Sequence, residues 1–363
     1  MKPHLFAAKP SAESDSSARP RVAVGEKTVP KTIASRLPPV RGNYTWFSSG
    51  RAAFAYLLSE IVPVRTVYLP TYVCWSLVDV MLNRFPETQL KFYSVDRSLN
   101  CRYPIDADAD TAVLSIHYFG HRAEMYRGKE GVLLEDCSHV PLGMITPDKH
   151  PPEEASVRRM SFGSLRKAYR VADGGFVEGF FNPVFEADRH LSSWLRLQAT
   201  DWKDLREAEN MTDRHWKISD ISGHSLAAIL QTDVESVHRQ RRQNEQFLAQ
   251  HLTVGNPMVQ FRADECPLLH NRLIESTSAR DSLRSYLATQ QIFTSVHWPV
   301  HEHLIRNRDH FDCEDAAWID RHVLSFPVSE DYDFDNMERI CNAVAKWHRS
   351  GASRFVGNTL SGM

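Results

Sequence analysis

The sequence lacks any apolar run that approaches the length of a membrane span, and Met1 to Pro10 contain no apolar stretch long enough for a signal peptide. Neither sign of charge dominates, because 43 Lys and Arg stand against 45 Asp and Glu. The net charge of -2 gives no electrostatic reason to expect a nucleic acid or an anionic membrane as partner. We predict a soluble, cytoplasmic protein in which any phosphate binding is local.

The six cysteines are scattered, without the close pairs that mark a zinc site or a small disulfide framework. This distribution fits a reducing cytosol. Histidine is more frequent, with 17 residues, and three of them lie close to Val300: His297, His301 and His303. No carboxylate or cysteine completes a recognised ligand pattern around them, so we expect no metal site.

The chain of 363 residues is long enough for about two domains, and its 42% hydrophobic and 24% charged residues are typical of a globular protein. No internal repeat is evident. Residues 8–41 are rich in Ser, Ala, Pro, Lys and Arg, which favours a flexible segment. Gly255-Asn256-Pro257 interrupts a helical pattern and marks a domain boundary. We predict an extension over residues 1–41, a large domain over 42–254, a small domain over 255–350 and a tail over 351–363.

Short apolar strands alternate with helices in the first of these domains. Helices are expected at Arg51 to Ile61 and Ser76 to Asn83, and strands at Thr66 to Leu69, Leu90 to Val95, Ala112 to Ile116, Val132 to Leu134 and in the segment Val157 to Phe162. This alternation indicates a mostly parallel sheet covered on both faces. Ligand sites in such sheets lie at the carboxyl ends of strands, where Pro70, His117, Asp136 and the Ser161 region are placed.

The pattern then changes. Residues 183–253 are typical of long helices, and strand-like segments at Leu268 to Ile274 and Ile292 to His297 alternate with helices at Ala279 to Thr289 and Phe334 to Trp347. This order suits a smaller α+β domain. The predicted fold class is α/β, with a mostly parallel sheet in the large domain and a smaller α+β domain at the carboxyl end.

Lys167 is the strongest candidate for covalent chemistry. It lies between Ser161 and the paired glycines that end at Gly175, about thirty residues after the acidic strand end at Asp136. A lysine amine condenses with an aldehyde only when it is unprotonated, and the flanking Arg166 and Arg170 could supply the positive charge that favours this form. Pyridoxal phosphate (PLP) needs an anion at its ring nitrogen, which Asp136 could provide. The alternatives are a surface lysine and a helix N-cap aspartate.

Further residues fit the other parts of such a cofactor. Ser49, Gly50 and Arg51 precede a predicted helix whose start could bind a phosphate, and Ser161 and Ser164 could add donors. The alternative for the first group is an ordinary N-cap. The rings of Tyr72 and Trp75 could stack on a planar cofactor or pack in the core.

The order of these motifs resembles the DegT/StrS family of PLP-dependent aminotransferases, best known for transferring amino groups to nucleotide-linked keto sugars. The resemblance runs from about Tyr44 to Trp347. Its pieces are Ser49-Gly50-Arg51-Ala52-Ala53, Leu69-Pro70-Thr71-Tyr72, Ile116-His117-Tyr118-Phe119-Gly120, Glu135-Asp136-Cys137-Ser138-His139, Ser161 through Lys167 to Gly175, Ile218-Ser219-Asp220, and Val296-His297-Trp298-Pro299-Val300-His301.

The resemblance implies a fold-type-I homodimer with its active sites between the subunits. It also implies that Lys167 carries PLP as a Schiff base and that Asp136 pairs with the pyridine nitrogen. His297 and His301 would lie on the substrate side.

The sequence departs from the family pattern at several cofactor positions. Arg51 replaces a threonine, and His139 replaces a glutamine that neighbours the cofactor. His215 and Lys217 stand where an asparagine and an arginine are common, and the asparagine reaches the cofactor phosphate of the other subunit. One extra residue between Ser161 and Lys167 leaves open which serine meets the phosphate.

We therefore expect an aminotransferase that moves an amino group from an amino-acid donor such as glutamate to a keto sugar, nucleotide-linked in the family's manner. Family members that act as sugar dehydratases have a histidine at the lysine position, and Lys167 argues against that reaction. The alternatives are a non-catalytic PLP-binding or regulatory protein with the same fold, and an aminotransferase acting on a non-sugar carbonyl. The acceptor is chosen by pocket loops, so the sequence does not name it.

Overall fold

A computed structural model describes residues 43–350, except 63, 103–104, 123–129, 145–156 and 308. The predicted extension over residues 1–41 and the predicted tail over 351–363 lie outside the described residues. No described helix combines the length and the apolar character needed to cross a bilayer.

A seven-stranded sheet forms the first part of the fold, with the order β1-β7-β6-β5-β4-β2-β3. Strands β2 to β6 run parallel to one another, and β7 runs antiparallel between β6 and β1. The mostly parallel sheet expected from the sequence is thereby confirmed. Its strands are β1 (Tyr44–Phe47), β2 (Thr66–Pro70), β3 (Gln89–Tyr93), β4 (Thr111–Ile116), β5 (Val132–Asp136), β6 (Arg158–Ser164) and β7 (Gly175–Glu178).

Helices cover this sheet and explain why its central strands are apolar on both faces. All residues of β4 are buried, as a strand between two helical layers requires. The first helix, α1 (Gly50–Tyr56), is also buried throughout and continues as a π-helical turn to Ile61. Small side chains at Ala52, Ala53 and Ala55 suit its packing against β6 and β7. The next two helices are α2 (Trp75–Arg84) and α3 (Leu165–Ala168).

The predicted helical stretch from 183 to 253 contains four helices, although residues 183–190 are irregular. Asp201, Ser222 and Asp233 cap the last three of them by accepting hydrogen bonds from backbone N–H groups. The helices are α4 (Leu191–Gln198), α5 (Trp202–His215), α6 (Gly223–Leu230) and α7 (Val234–His251).

A smaller antiparallel sheet, in the order β10-β9-β8, follows. Its strands are β8 (Asn256–Pro257), β9 (Leu269–Leu273) and β10 (Val323–Pro327), and its helices are α8 (Thr277–Thr289), α9 (Glu302–Arg306), α10 (Glu314–His322) and α11 (Phe334–Arg349). The strand expected at Ile292 to His297 is wrong. The segment forms isolated bridges at Ile292 and Ser295, the latter to Ser325, and then leaves the sheet and buries Trp298 in the core of the large sheet.

The two sheets meet at the turn that follows β4. Leu268 N donates to Phe119 O at 2.7 Å, so the start of β9 is fastened to this turn. Gly120 adopts a φ of 96°, and a Cβ there would lie 2.0 Å from Cys266 O. Only glycine combines this backbone conformation with so close an approach. The contact brings β9 and β10 next to the carboxyl ends of β4 and β5.

Candidate active site

Asp136 ends β5, in register with Ile116 of β4 and Phe162 of β6. The carboxylate is buried and accepts a hydrogen bond at Oδ1 from Ser138 N, 2.8 Å away. Ser138 in turn accepts through Oγ from Ser164 N at 3.0 Å. These bonds join the end of β5 to the end of β6, immediately before the helix that carries Lys167.

Lys167 lies on α3, and its Nζ is 3.2 Å from Nε2 of His139 and 5.6 Å from the ring centroid of Trp298. Phe119 N donates to Nδ1 of His139 at 2.9 Å. Nδ1 is therefore an acceptor, and the neutral imidazole carries its proton on Nε2.

Aromatic rings enclose this pair of nitrogens. The rings of Phe119, His139 and Trp298 are nearly parallel, with centroids 5.4 to 6.1 Å apart and interplanar angles of 22° to 26°. His297 meets the His139 ring edge-on at 6.4 Å. Such packing limits water around the lysine amine and keeps its local dielectric low.

His297 lies beside the lysine, as its predicted role on the substrate side requires. Its Nδ1 is 3.3 Å from the hydroxyls of Ser295 and Ser325. Burial, followed by the charge of Lys167, lowers the pKa of His297 to about 3. The structure places His301 elsewhere: it caps α9, and its Nε2 is 3.4 Å from Asp79.

The predicted phosphate-binding residues converge at the start of α1. Ser49 caps the helix through its hydroxyl, which accepts from Ala52 N at 3.2 Å. A Cβ at Gly50 would lie 3.1 Å from Cβ of Ser164, so the missing side chain leaves the helix start directly against β6. Ser161 points elsewhere, because its hydroxyl is bonded to Glu178. Ser164 is therefore the serine beside the helix start.

Arg51, Trp75 and Tyr72 have partners of their own. Arg51 forms an ion pair with Asp213 at 2.8 Å and lies over the ring of Trp75, 5.7 Å from its centroid. Tyr72 is 1% exposed and packs against the rings of Tyr118 and Trp298.

The arginines that flank Lys167 are each paired with a carboxylate. Arg166 donates two hydrogen bonds to Glu209, at 2.7 and 3.0 Å, and Arg170 is paired with Asp331. Arg196 also donates to Glu209, at 2.6 Å. Although burial opposes it, these arginines hold the pKa of Glu209 well below its usual range. Neither flanking arginine offers Lys167 an uncompensated positive charge, contrary to the expectation from sequence.

A cavity of about 520 Å³ is lined by Ser49 and by the predicted cofactor residue His215, which is exposed. Several ionisable side chains also line it, namely Asp173, Arg166, His190, Arg196 and Lys217. Among the residues the structure describes, one group has the spacing of metal ligands: His117, Glu135 and Cys137. Burial raises the pKa of the Cys137 thiol, and Arg159 already binds Glu135 at 2.8 Å, so this group is a poor cation site.

Two site residues were not singled out from the sequence, namely Phe119, which fixes the His139 ring, and Trp298, which lies over Lys167. Both stand inside quoted motifs, Trp298 directly after His297 and Phe119 two residues after His117, and that proximity is the signal that could have identified them.

These residues fit PLP. A buried carboxylate and a lysine amine lie at the ends of adjacent parallel strands, and the start of α1 at Gly50, where helix N–H groups can bind a phosphate, lies against Ser164 at the end of β6. Fold and site together define a PLP-dependent transferase of fold type I. The chain belongs to the DegT/DnrJ/EryC1/StrS aminotransferase family, whose sequence profile matches residues 100–345.

Solved structures with the same fold include the sugar aminotransferase Spr1654 of Streptococcus pneumoniae in its PMP form, which is 14% identical with a TM-score of 0.58 over 86% of each chain. DesV of S. venezuelae, in complex with a ketimine intermediate, is 19% identical with a TM-score of 0.55 over 85% of each chain. PseC of Helicobacter pylori, an aminotransferase of pseudoaminic acid biosynthesis, is 13% identical with a TM-score of 0.57 over 85% of this chain and 87% of its own. No curated protein matches the chain by sequence.

Proposed function

We propose that this aminotransferase moves the amino group of an amino-acid donor, glutamate first among candidates, to the carbonyl of a nucleotide-linked keto sugar. The observation that carries the proposal is the contact between Lys167 Nζ and His139 Nε2, three residues after the buried Asp136. The sugar acceptor is supported by the structural neighbour Spr1654, which is described as a sugar aminotransferase.

Bound PLP supplies an electron sink that stabilises negative charge on the carbon bearing the transferred nitrogen. Asp136, buried at the end of β5, holds a proton on the cofactor's ring nitrogen. The start of α1 at Gly50, with Ser49 and Ser164, binds its phosphate.

Lys167 has two roles in this proposal. Its Nζ would hold the cofactor, and the same amine would take the proton from the α-carbon of the amino donor. His139 supports both roles, because its Nε2–H donates to Nζ and holds it within the ring of Phe119, Trp298 and His297. Those rings also exclude water from the base.

We also propose a homodimer whose partner completes the cavity at His215. The segment after β7 supports this, because Phe180, Val184 and Trp194 are 78%, 94% and 56% exposed. Clustered large apolar side chains at a surface favour a protein contact. The polar cavity beside Ser49 lies in the same region, as a site shared between subunits requires.

The cytoplasm is the compartment we propose. The six cysteines are scattered along the sequence without close pairs, which supports a reducing environment.

The direct test is reconstitution with PLP followed by borohydride reduction and peptide mapping. The wild type is expected to retain reduced cofactor on Lys167, and Lys167→Ala to retain none; label on another lysine would refute the assignment. Adding glutamate to the unreduced protein should change the cofactor absorbance, whereas an inert binding protein leaves it unchanged. A panel of keto-sugar nucleotides and simple keto acids, with nitrogen transfer measured by mass spectrometry, then separates the sugar acceptor from a non-sugar carbonyl.

A further inference from the structure

Asn271 lies at the centre of β9 with an amide that has no partner. Its side chain is 3% exposed, and neither Nδ2 nor Oδ1 has a hydrogen-bond partner among the residues the structure describes. An unsatisfied buried amide is destabilising by about 1 to 3 kcal/mol, so few proteins retain one without a use for it.

The side chain faces the active site. Its neighbours along β9 point the other way, since His270 contacts Glu245 of α7 and Arg272 donates to the carbonyls of Leu252 and Val254. Asn271 is paired in register with Ser325 of β10, so these two side chains share one face. Ser325 is bridged in turn to Ser295.

The face of β9 and β10 that carries Asn271 and Ser325 is connected to Lys167 through His297 and His139. The hydroxyls of Ser295 and Ser325 both contact Nδ1 of His297 at 3.3 Å. The His297 ring meets that of His139, whose Nε2 is 3.2 Å from Lys167 Nζ. Asn271 therefore belongs to a polar row that ends beside the reacting amine.

We propose that Asn271, with Ser325 and His297, forms a subsite that binds an uncharged hydroxyl group next to the carbonyl of the amino acceptor. The inference rests on the proposed function and names the chemistry of its acceptor. A hydroxyl donates to Oδ1 and accepts from Nδ2, so one group satisfies both atoms of the amide. A carboxylate only accepts, and it would leave Oδ1 unpaired in a wall where His297 is neutral because its pKa is about 3.

The test compares Asn271→Leu with wild type on two nucleoside-diphosphate-linked keto-hexoses, one of which lacks the hydroxyl next to the carbonyl. We expect kcat/KM for the hydroxylated acceptor to fall at least about tenfold, mainly through KM, because the site loses its hydrogen bonds to that group. The deoxy acceptor and the glutamate half-reaction should be unaffected. Equal losses on both acceptors, or no loss, would overturn the proposal.

A structural role predicts a different result. If the only role of the amide is to bind a ligand, Asn271→Leu removes an unsatisfied buried group. The variant then does not lower the denaturation midpoint of the ligand-free protein. A lowered midpoint would overturn the subsite, and this measurement needs no turnover. Thr294→Val is the matched control, since its buried hydroxyl also lacks a partner among the described residues and it precedes the row by one residue. Thr294→Val should leave kcat/KM unchanged for both acceptors.

A wrong acceptor class can be distinguished from a wrong subsite. If neither keto-hexose is aminated while glutamate still reacts, the proposed acceptor class is wrong. The same comparison is then made with hydroxypyruvate and pyruvate, which also differ by one hydroxyl next to the carbonyl. Loss of discrimination between them in Asn271→Leu supports the subsite, and retained discrimination overturns it.

Discussion

His139 directs Nε2 at Nζ of Lys167 across 3.2 Å, and the backbone N–H of Phe119 fixes which ring nitrogen carries the proton. The flanking arginines are neutralised by carboxylates. The polar group that meets Nζ is thus an imidazole, and the positive charges adjacent to Lys167 in the sequence are compensated.

Replacing His139 by Phe should slow the capture of PLP at neutral pH. The variant keeps a ring between Phe119 and Trp298 and loses the donor to Nζ, so we expect a reduction of about tenfold, the equivalent of one hydrogen bond. Borohydride trapping over time measures the rate. His139→Gln restores an N–H donor and should recover most of it. If His139→Phe and His139→Gln capture PLP at the same rate, the hydrogen-bond donor has no part in the reaction.

Gly50→Ala should weaken PLP binding. The added Cβ would lie 3.1 Å from Ser164 Cβ and 3.2 Å from Ser164 N, which forces the start of α1 away from β6. We expect affinity to fall about tenfold, while the folded protein loses little stability because alanine favours helix. Fluorescence titration with PLP measures this. Gly223→Ala, at the first residue of α6 with open space around it, should leave the affinity unchanged.

The stability of the protein should fall as the pH drops below the ordinary pKa of histidine. The pKa of His297 is about 3 in the fold, so between pH 6.5 and 3 the unfolded chain binds a proton that the folded protein excludes. His297 then contributes a slope of at most about 1.4 kcal/mol per pH unit to the free energy of unfolding. Its contribution to stability is fully present above pH 6.5. His297→Asn should flatten the dependence measured by urea denaturation. His215→Asn, at an exposed position, should not.

Glu209→Gln should destabilise the fold. The change leaves Arg196, 7% exposed, and Arg166, 21% exposed, without their shared carboxylate. Since Glu209 itself is 47% exposed, water compensates in part, and we expect a loss of about 1 to 2 kcal/mol in the free energy of unfolding. Glu186→Gln is the control, because its carboxylate is similarly exposed and its partner Arg84 is 36% exposed. A loss there as large as at Glu209 would contradict the prediction.

A charge at Val184 should interfere with dimer formation. Val184→Lys places a charged group in the exposed apolar segment after β7, where desolvating it would oppose association. Sedimentation equilibrium should show a weaker dimer. Ile305→Lys, a comparable change at the 55% exposed position on α9, is expected to leave association intact. A monomeric wild type would refute the homodimer itself.

Local patterns were enough to predict the large sheet and the lysine and aspartate of the candidate site. Strands β4 and β5 contain the apolar runs Ala112 to Leu114 and Val132 to Leu134. Asp136 is the last residue of β5, and Lys167 lies three residues after the end of β6. The short β1 and β10 were not predicted, because each is held by partners far away in sequence, Glu178 to Gly175 and Leu269 to Leu273. Pairing of this kind leaves no local signal.

The same limit applied to the site. The ring of Trp298 over Lys167 depends on how the small sheet packs against the large one, and the position of Asn271 opposite Ser325 depends on the pairing of β9 with β10. Arg166 and Arg170 were expected to act on Lys167 through their positive charge, because they flank it in the sequence. Their carboxylate partners, however, come from α5 and from the loop before α11. Adjacency in sequence shows which charges are near and leaves out what neutralises them.

The insertion of Trp298 beneath the turn at Phe119 has a consequence for how this chain melts. One apolar cluster draws on Phe162 of the large sheet and on Val323 of the small sheet, with the indole wedged between. Loss of structure in either half exposes residues of this shared cluster, although the small sheet with α8 and α11 also has a core of its own around Leu283 and Val344. Because the shared cluster couples the two halves, heating should give a single calorimetric peak.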